Sequence, residues 1–207
     1  MALFITFEGG EGSGKSAQAR RLYRRLSRLA IPTLLTNEPG GTNFGDKIGR
    51  WLKWAHSDIS PLTELLLFNA SRTQLIDETI RPSLKRGMAV ICDRYTDSTI
   101  AYQSYGRGLS PEMVTSINNT ATQGLNPDLT VLLDISAEEG LARKKAKKQD
   151  RIEQENIAFH QRVREGYLKL AAGDPERWLV LDATHSKESV SQTIWQRVSQ
   201  LLSSQKG

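Results

Sequence analysis

Near the start of the chain, Gly9-Gly10-Glu11-Gly12-Ser13-Gly14-Lys15-Ser16 sets glycines around a lysine and a hydroxyl. Glycines let a loop wrap closely around an anion and turn successive backbone N–H groups inward, and a helix that follows adds the positive end of its dipole. The pattern G-x-x-x-x-G-K-[ST] becomes a phosphate cradle, a P-loop, when it follows a strand and opens a helix. Here it lies between the apolar run Leu3–Phe7 and the helical pattern Ala17–Leu29. In such a loop Lys15 bridges the β- and γ-phosphates of a nucleoside triphosphate and Ser16 ligates magnesium. The chain has no Asn-Lys-x-Asp sequence for guanine and no second large domain to be driven, but a P-loop alone says only that the chain handles a nucleoside triphosphate.

Other residues extend that chemistry. Asp93-Arg94 closes an apolar run, the usual place for a carboxylate near a magnesium shell and for an arginine that grips phosphate through both nitrogens. Phe68 and Arg72 are four apart in a helical pattern and project from one face; a ring can stack on a base and a guanidinium can donate to a base oxygen. Taken alone, the two read by default as core packing and a surface ion pair. Glu38-Pro39-Gly40-Gly41-Thr42 must turn, because proline fixes its backbone and two glycines admit close approach.

These residues need a frame. Short apolar runs at Leu3–Phe7, Met88–Cys92, Leu129–Leu133 and Trp178–Leu181, with a weaker one at Thr33–Leu35, lack strict alternation and predict strands buried on both faces. Helical patterns at Ala17–Leu29, Leu62–Leu84, Ile152–Ala172 and Glu188–Leu202 lie between and after them. Alternation of this kind predicts an α/β fold with a parallel sheet covered on both faces. Glu8, Asp93, Asp134 and Asp182 each follow a strand, at the edge where parallel sheets bind ligands. A chain of 207 residues, 38% hydrophobic, is expected to be a single domain over 1–207.

The set Thr36-Asn37-Glu38-Pro39-Gly40-Gly41-Thr42, Phe68-Asn69-Ala70-Ser71-Arg72, Asp93-Arg94-Tyr95-Thr96-Asp97-Ser98-Thr99 with Ala101-Tyr102-Gln103, and Asp150-Arg151-Ile152-Glu153 closely resembles thymidylate kinase, in order and over nearly the whole chain. The resemblance implies the P-loop NTPase fold, a five-stranded parallel sheet with a short mobile lid at about 141–153. It implies phosphorylation of dTMP to dTDP with ATP and Mg2+, in dTTP biosynthesis. It assigns Gly9, Gly10, Glu11, Gly12, Ser13, Gly14, Lys15 and Ser16 to ATP, and Ser16 and Asp93 to the metal. Glu11, Glu38, Phe68, Arg72, Arg94, Thr99, Tyr102 and Gln103 fall to the acceptor, with Tyr102 excluding a 2′-hydroxyl; Lys15, Arg94 and Arg151 become the catalytic cations. Asn37 departs from the arginine common in relatives. The resemblance also implies a homodimer.

The formal charge is +5, and the run from Arg143 to Arg151 carries all of it, with Arg143, Lys144, Lys145, Lys147, Lys148 and Arg151 against Asp150. The remainder sums to zero, which argues against a surface that tracks nucleic acid. If helical, the run aligns Arg143, Lys147 and Arg151 on one face. A solvated face is the ordinary reading of such a run. Because the P-loop holds Glu11 and no arginine, however, the positive charge that offsets the transition state must come from elsewhere, and the resemblance, to the class of thymidylate kinases whose lid carries Asp150-Arg151-Ile152-Glu153, makes Arg151 the candidate. A single cysteine, Cys92, scattered His56, His160 and His185, no basic leader and no long apolar segment predict a soluble cytoplasmic protein without disulfides or a histidine metal site. A kinase for another deoxynucleoside or deoxynucleotide, and a nucleic-acid-stimulated ATPase working through the basic run, stand as the alternatives.

Overall fold

The computed structural model describes residues 2–54, 58–144 and 149–204; His56, Lys145, Lys147 and Lys148 lie outside them. The five strands are β1 (Leu3–Glu8), β2 (Thr33–Asn37), β3 (Ala89–Asp93), β4 (Leu129–Asp134) and β5 (Trp178–Asp182), all parallel in the order β2-β3-β1-β4-β5. Every residue of β1 is buried, as an apolar run between two helical layers requires. Its alternation decides which layer each side chain meets. Leu3, Ile5 and Phe7 pack with α1 (Lys15–Arg28) and α9 (Lys187–Ser204), whereas Phe4 packs with Leu75, Ile76, Ile80 and Tyr95 on the opposite face. Each such side chain contributes about 1.5–3 kcal/mol by leaving water. Register places Asn37 beside Asp93, Asp93 beside Phe7, and Asp134 beside Asp182, so the strand-end acids share the carboxyl edge.

Where helices differ from expectation, local chemistry explains it. The pattern over Leu62–Leu84 is α3 (Pro61–Leu75), a π-helical turn (Ile76–Ile80) and α4 (Arg81–Lys85). Pro82 lacks the N–H for an i→i−4 bond and its ring crowds that carbonyl, which a widened turn relieves. Helix α8 (Ile157–Gly173) starts later than expected because Asn156 caps it, accepting from the Phe159 amide at 2.9 Å, while Arg151–Gln154 form a turn on Asp150. Helix α7 (Ala137–Ala142) ends before the basic run, so the helical face of Arg143, Lys147 and Arg151 is not formed among the described residues; Arg143, Lys144 and Arg151 lie in turns.

Four further helical stretches went unread: α2 (Asn43–Trp54), α5 (Thr96–Thr99) with its π-helical extension (Ile100–Gly106), α6 (Pro111–Thr122) and α7. Two carried a signal. Ser110 accepts from the Met113 amide at 3.3 Å ahead of Pro111, and Ser136 caps α7 by accepting from the Glu139 amide at 3.2 Å while its hydroxyl donates to the Glu139 carboxylate at 2.8 Å. No helix among the described residues is long and apolar enough to cross a membrane.

Candidate active site

The P-loop leaves β1 at Glu8 and ends at Gly14, whose left-handed φ of 94° starts α1 with no side-chain cap. The first amides of α1 are thus left to an outside acceptor. Lys15 is buried and its Nζ donates to the Gly10 carbonyl at 2.7 Å and to Ser13 Oγ at 3.3 Å. Burial, reinforced by the positive charge of Arg94, brings its pKa down to about 8. The loop also touches α7 backbone to backbone. A Cβ on Gly12 would stand 2.0 Å from the Gly140 carbonyl oxygen, and one on Gly140 would stand 2.2 Å from that of Glu11.

A cleft of about 750 Å³ opens at the carboxyl edge of the sheet. From the cradle it is lined by Glu11, Gly12, Gly14, Lys15 and Ser16; Gly9, Gly10 and Ser13 are not part of its lining. Opposite stand Glu38, Phe68, Arg72, Asp93, Arg94, Thr99, Tyr102 and Gln103, so one cavity gathers the residues assigned to donor and acceptor. Asn37 lines it too, its amide 3.4 Å from the Pro39 carbonyl.

Arg94 sits in left-handed backbone, φ 75°, a conformation that costs a non-glycine residue energy and recurs at functional sites. Its Nη2 donates to Glu11 Oε1 at 2.7 Å and to the Tyr102 hydroxyl at 3.1 Å, and its Nη1 to Gly9 O, Ser98 Oγ and Tyr167 Oη at 3.1–3.2 Å. The Tyr102 hydroxyl in turn donates to Glu11 Oε1 at 2.8 Å. Lys144 reaches the other oxygen of Glu11 at 2.6 Å and also contacts Glu153. Burial works against ionisation of Glu11, but Arg94, Lys15 and Lys144 outweigh it and hold its carboxyl below the ordinary range. Behind this cluster Glu8 accepts from the Tyr95 amide at 2.7 Å, Ser98 at 2.6 Å and Tyr167 at 2.9 Å. Burial, then the negative charge of Asp97, push its pKa up to about 7.

Arg72 is 1% exposed and its fork is fully engaged. It forms a buried ion pair with Glu38 and donates to Asn69, Thr99, Asn118 and the Tyr95 carbonyl at 2.8–3.2 Å. The Ser16 hydroxyl donates to Asp93, which joins the two groups assigned to the metal. As a hydroxyl and a carboxylate they suit a hard cation that keeps phosphate and water oxygens for the rest of its shell. No group of three or more His, Cys, Asp or Glu among the described residues could hold a metal by itself.

Arg151 stands apart from the cleft lining. Its backbone N–H donates to the Lys53 carbonyl at 3.1 Å and its Nε to the Leu52 carbonyl at 3.2 Å, at the end of α2, and its Nη2 bonds Glu64. From the described basic run, Arg143 and Lys144 line the cavity instead. Glu8 was legible only as a strand-end acid. Ser98 stands in the Asp93–Thr99 motif without a role of its own, and Glu64, Asn118 and Tyr167 belong to no motif; the one available signal is Glu64 at four and eight residues before Phe68 and Arg72 on a single helix face.

Comparison with known proteins fits this geometry. Residues 7–194 match the family described as Thymidylate kinase. A thymidylate kinase of Dehalococcoides mccartyi (strain ATCC BAA-2266 / KCTC 15142 / 195) is 56% identical over 203 residues, covering 98% of each chain. That of Roseiflexus sp. (strain RS-1) is 48% identical, over 99% of this chain and 96% of its own. A crystal structure of thymidylate kinase from Ehrlichia chaffeensis, 32% identical, superposes with a TM-score of 0.78 over 95% of this chain and 98% of that one. With its glycine cradle, its strand-end acids and its acceptor wall all inside the matched span, the chain belongs to the thymidylate kinase family.

Proposed function

We propose that this chain transfers the γ-phosphoryl group of ATP to dTMP, giving dTDP for dTTP synthesis. The observation that carries the reading is the pair Lys15 and Arg94, two cations flanking Glu11 at the junction of a triphosphate cradle and a walled acceptor site. Phosphoryl transfer asks little covalent chemistry of the protein; positioning and charge stabilisation do most of it. Lys15 meets the β- and γ-phosphates, and the cradle amides orient them. Arg94 takes the acceptor's phosphate in exchange for Glu11. Phe68 stacks on the base, Arg72 and Thr99 form its polar edge, and the Tyr102 ring, pinned by Arg94 and Glu11, leaves no room for a 2′-hydroxyl. Ser16 and Asp93 would hold Mg2+, which when bound neutralises charge on the phosphates.

The whole of 1–207 acts as one domain with a lid at about 141–153, and Arg151 of that lid supplies positive charge to the transferring group. The reading includes a cytoplasmic homodimer with no nucleic-acid partner. Supporting the dimer, Phe44 and Trp51 of α2 and Leu62 and Leu66 of α3 are exposed on adjacent helices. The test of function is Mg2+-dependent ADP release measured across the common nucleoside monophosphates. dTMP should give the highest kcat/KM; a higher value for any other acceptor, or for a nucleoside, overturns the substrate.

A further inference from the structure

Glu64 lies on α3 one turn before Phe68 and two before Arg72, and is 1% exposed. A carboxylate so buried must be fully bonded. Its Oε1 accepts from Gln103 Nε2 at 2.7 Å and Arg107 Nε at 3.2 Å; its Oε2 accepts from Arg107 Nη2 at 3.2 Å and from Arg151. These contacts fill the lone-pair positions a carboxylate offers. Burial opposes ionisation, yet the bonds from Arg107, Gln103 and Arg151 win, and the carboxyl is held below its ordinary range. Glu64 is therefore an acceptor only.

That fixes Gln103. A side-chain amide can present either its oxygen or its nitrogen, but beside an obligate acceptor only the nitrogen can face Glu64. Gln103 is 1% exposed and lines the cleft, and its Oε1 has no hydrogen-bond partner among the described residues. The cleft is thus offered a fixed carbonyl oxygen, which suits a ring N–H and repels a ring nitrogen lone pair. Thymine and uracil carry an N–H at N3; cytosine carries a lone pair there.

We propose that Glu64 is a positioning residue for base selection: by holding the Gln103 amide in one orientation it makes the acceptor wall select imide bases over cytosine. This rests on the acceptor being a pyrimidine deoxynucleotide. Arg107 and Arg151 are the cations that keep the carboxylate charged, so the lid segment that bears Arg151 is tied to the same wall.

The test is Glu64→Gln, which can donate as well as accept and so releases Gln103 to rotate. Arg107 keeps Glu155 as a partner, which favours folding of the variant. The ratio of kcat/KM for dTMP over dCMP should fall about tenfold, the worth of one hydrogen bond, while the ratio for dTMP over dUMP, which share the imide, stays unchanged. In a Gln103→Leu background, Glu64→Gln should leave the dTMP/dCMP ratio where Gln103→Leu alone puts it. An unchanged dTMP/dCMP ratio in folded Glu64→Gln, or an equal fall in both ratios, overturns the proposal. If Glu64→Gln does not fold, a Gln103→Leu enzyme that keeps wild-type dTMP/dCMP discrimination overturns it instead. Wild-type enzyme indifferent to dTMP would refute the substrate reading, a result distinct from all of these.

Discussion

Gly140→Ala offers a test in which two physical effects have opposite signs. Inside a helix, alanine ordinarily improves on glycine by about 1 kcal/mol. Gly140 is in α7, and its φ needs no glycine; what excludes a methyl is the Glu11 carbonyl, 2.2 Å from the Cβ position. Ordinary contact needs about 1 Å more, and both partners are backbone, so no side chain can swing aside. Forcing a methyl into a packed contact costs about 1–3 kcal/mol, and a deep overlap between two backbone groups takes the upper part of that range, about 2–3 kcal/mol, which overtakes the propensity gain. The net loss of about 1–2 kcal/mol corresponds to a fall in Tm of about 2–8 °C. Function should suffer more, because the displaced element is the loop bearing Glu11 and Lys15, and a misplacement of about 1 Å can cost about 10²-fold in rate. Gly173→Ala is the matched control, since its Cβ would meet nothing within 4 Å. Thermal melts and steady-state kinetics with ATP varied would compare the three proteins. A Gly140→Ala enzyme as stable and as active as Gly173→Ala would refute the claim that α7 braces the P-loop.

Arg151→Ala should lower kcat far more than it raises the KM for dTMP, with a loss at or below about 10³-fold, and Arg151→Lys should not restore it; a near-normal kcat would transfer the charge role to Arg143 and Lys144, which already line the cleft. Glu8 carries a pH signature. Its pKa is raised from 4.5 to about 7 by burial and by Asp97, so its contribution to stability is complete below pH 4.5 and is lost as pH rises through about 7. The span is worth at most about 3 kcal/mol. Urea unfolding between pH 5 and 8 should show that decline in wild type and a shallower one in Glu8→Gln, and parallel curves would refute it.

Legibility divides along a physical line. The loop from Gly9 to Ser16 is readable because its chemistry is carried by backbone and demands contiguous glycines, and β1, β3 and β4 are readable because strands buried on both faces need unbroken apolar runs. The runs at Thr33–Leu35 and Trp178–Leu181 also form strands, but against expectation they are not buried on both faces: β2 and β5 are the sheet edges, and Val180 is 45% exposed. Phe68, Arg72 and Arg94 are found through their motifs, but not their bonding: that the Arg72 fork is fully engaged by Glu38, Asn69, Thr99, Asn118 and Tyr95 depends on four segments meeting in space. Gly140 looks like any helix glycine until the P-loop is laid against it. The stretch Thr96–Gly106 escapes because its buried polar residues, Asp97, Ser98, Thr99, Gln103 and Ser104, erase the apolar stripe by which a helix is usually recognised. Residues that serve the site spoil the pattern that would reveal their element.

The sheet order also bears on how the chain is made. β1 is the middle strand, yet its neighbours β3 and β4 begin only at Ala89 and Leu129. Glu8 gains its Tyr167 bond across 159 residues. At about 5–20 residues per second, a ribosome takes roughly 8–30 s to supply that partner after Glu8 has been added. Until β3 and β4 emerge the fully buried strand of the sheet has bare hydrogen-bonding edges, and for the whole interval its carboxylate lacks part of its final bonding. A chain released before α8 would keep the complete P-loop sequence but lack both β5 and the brace on Arg94. Truncation is therefore expected to yield an aggregating fragment, not a smaller working kinase.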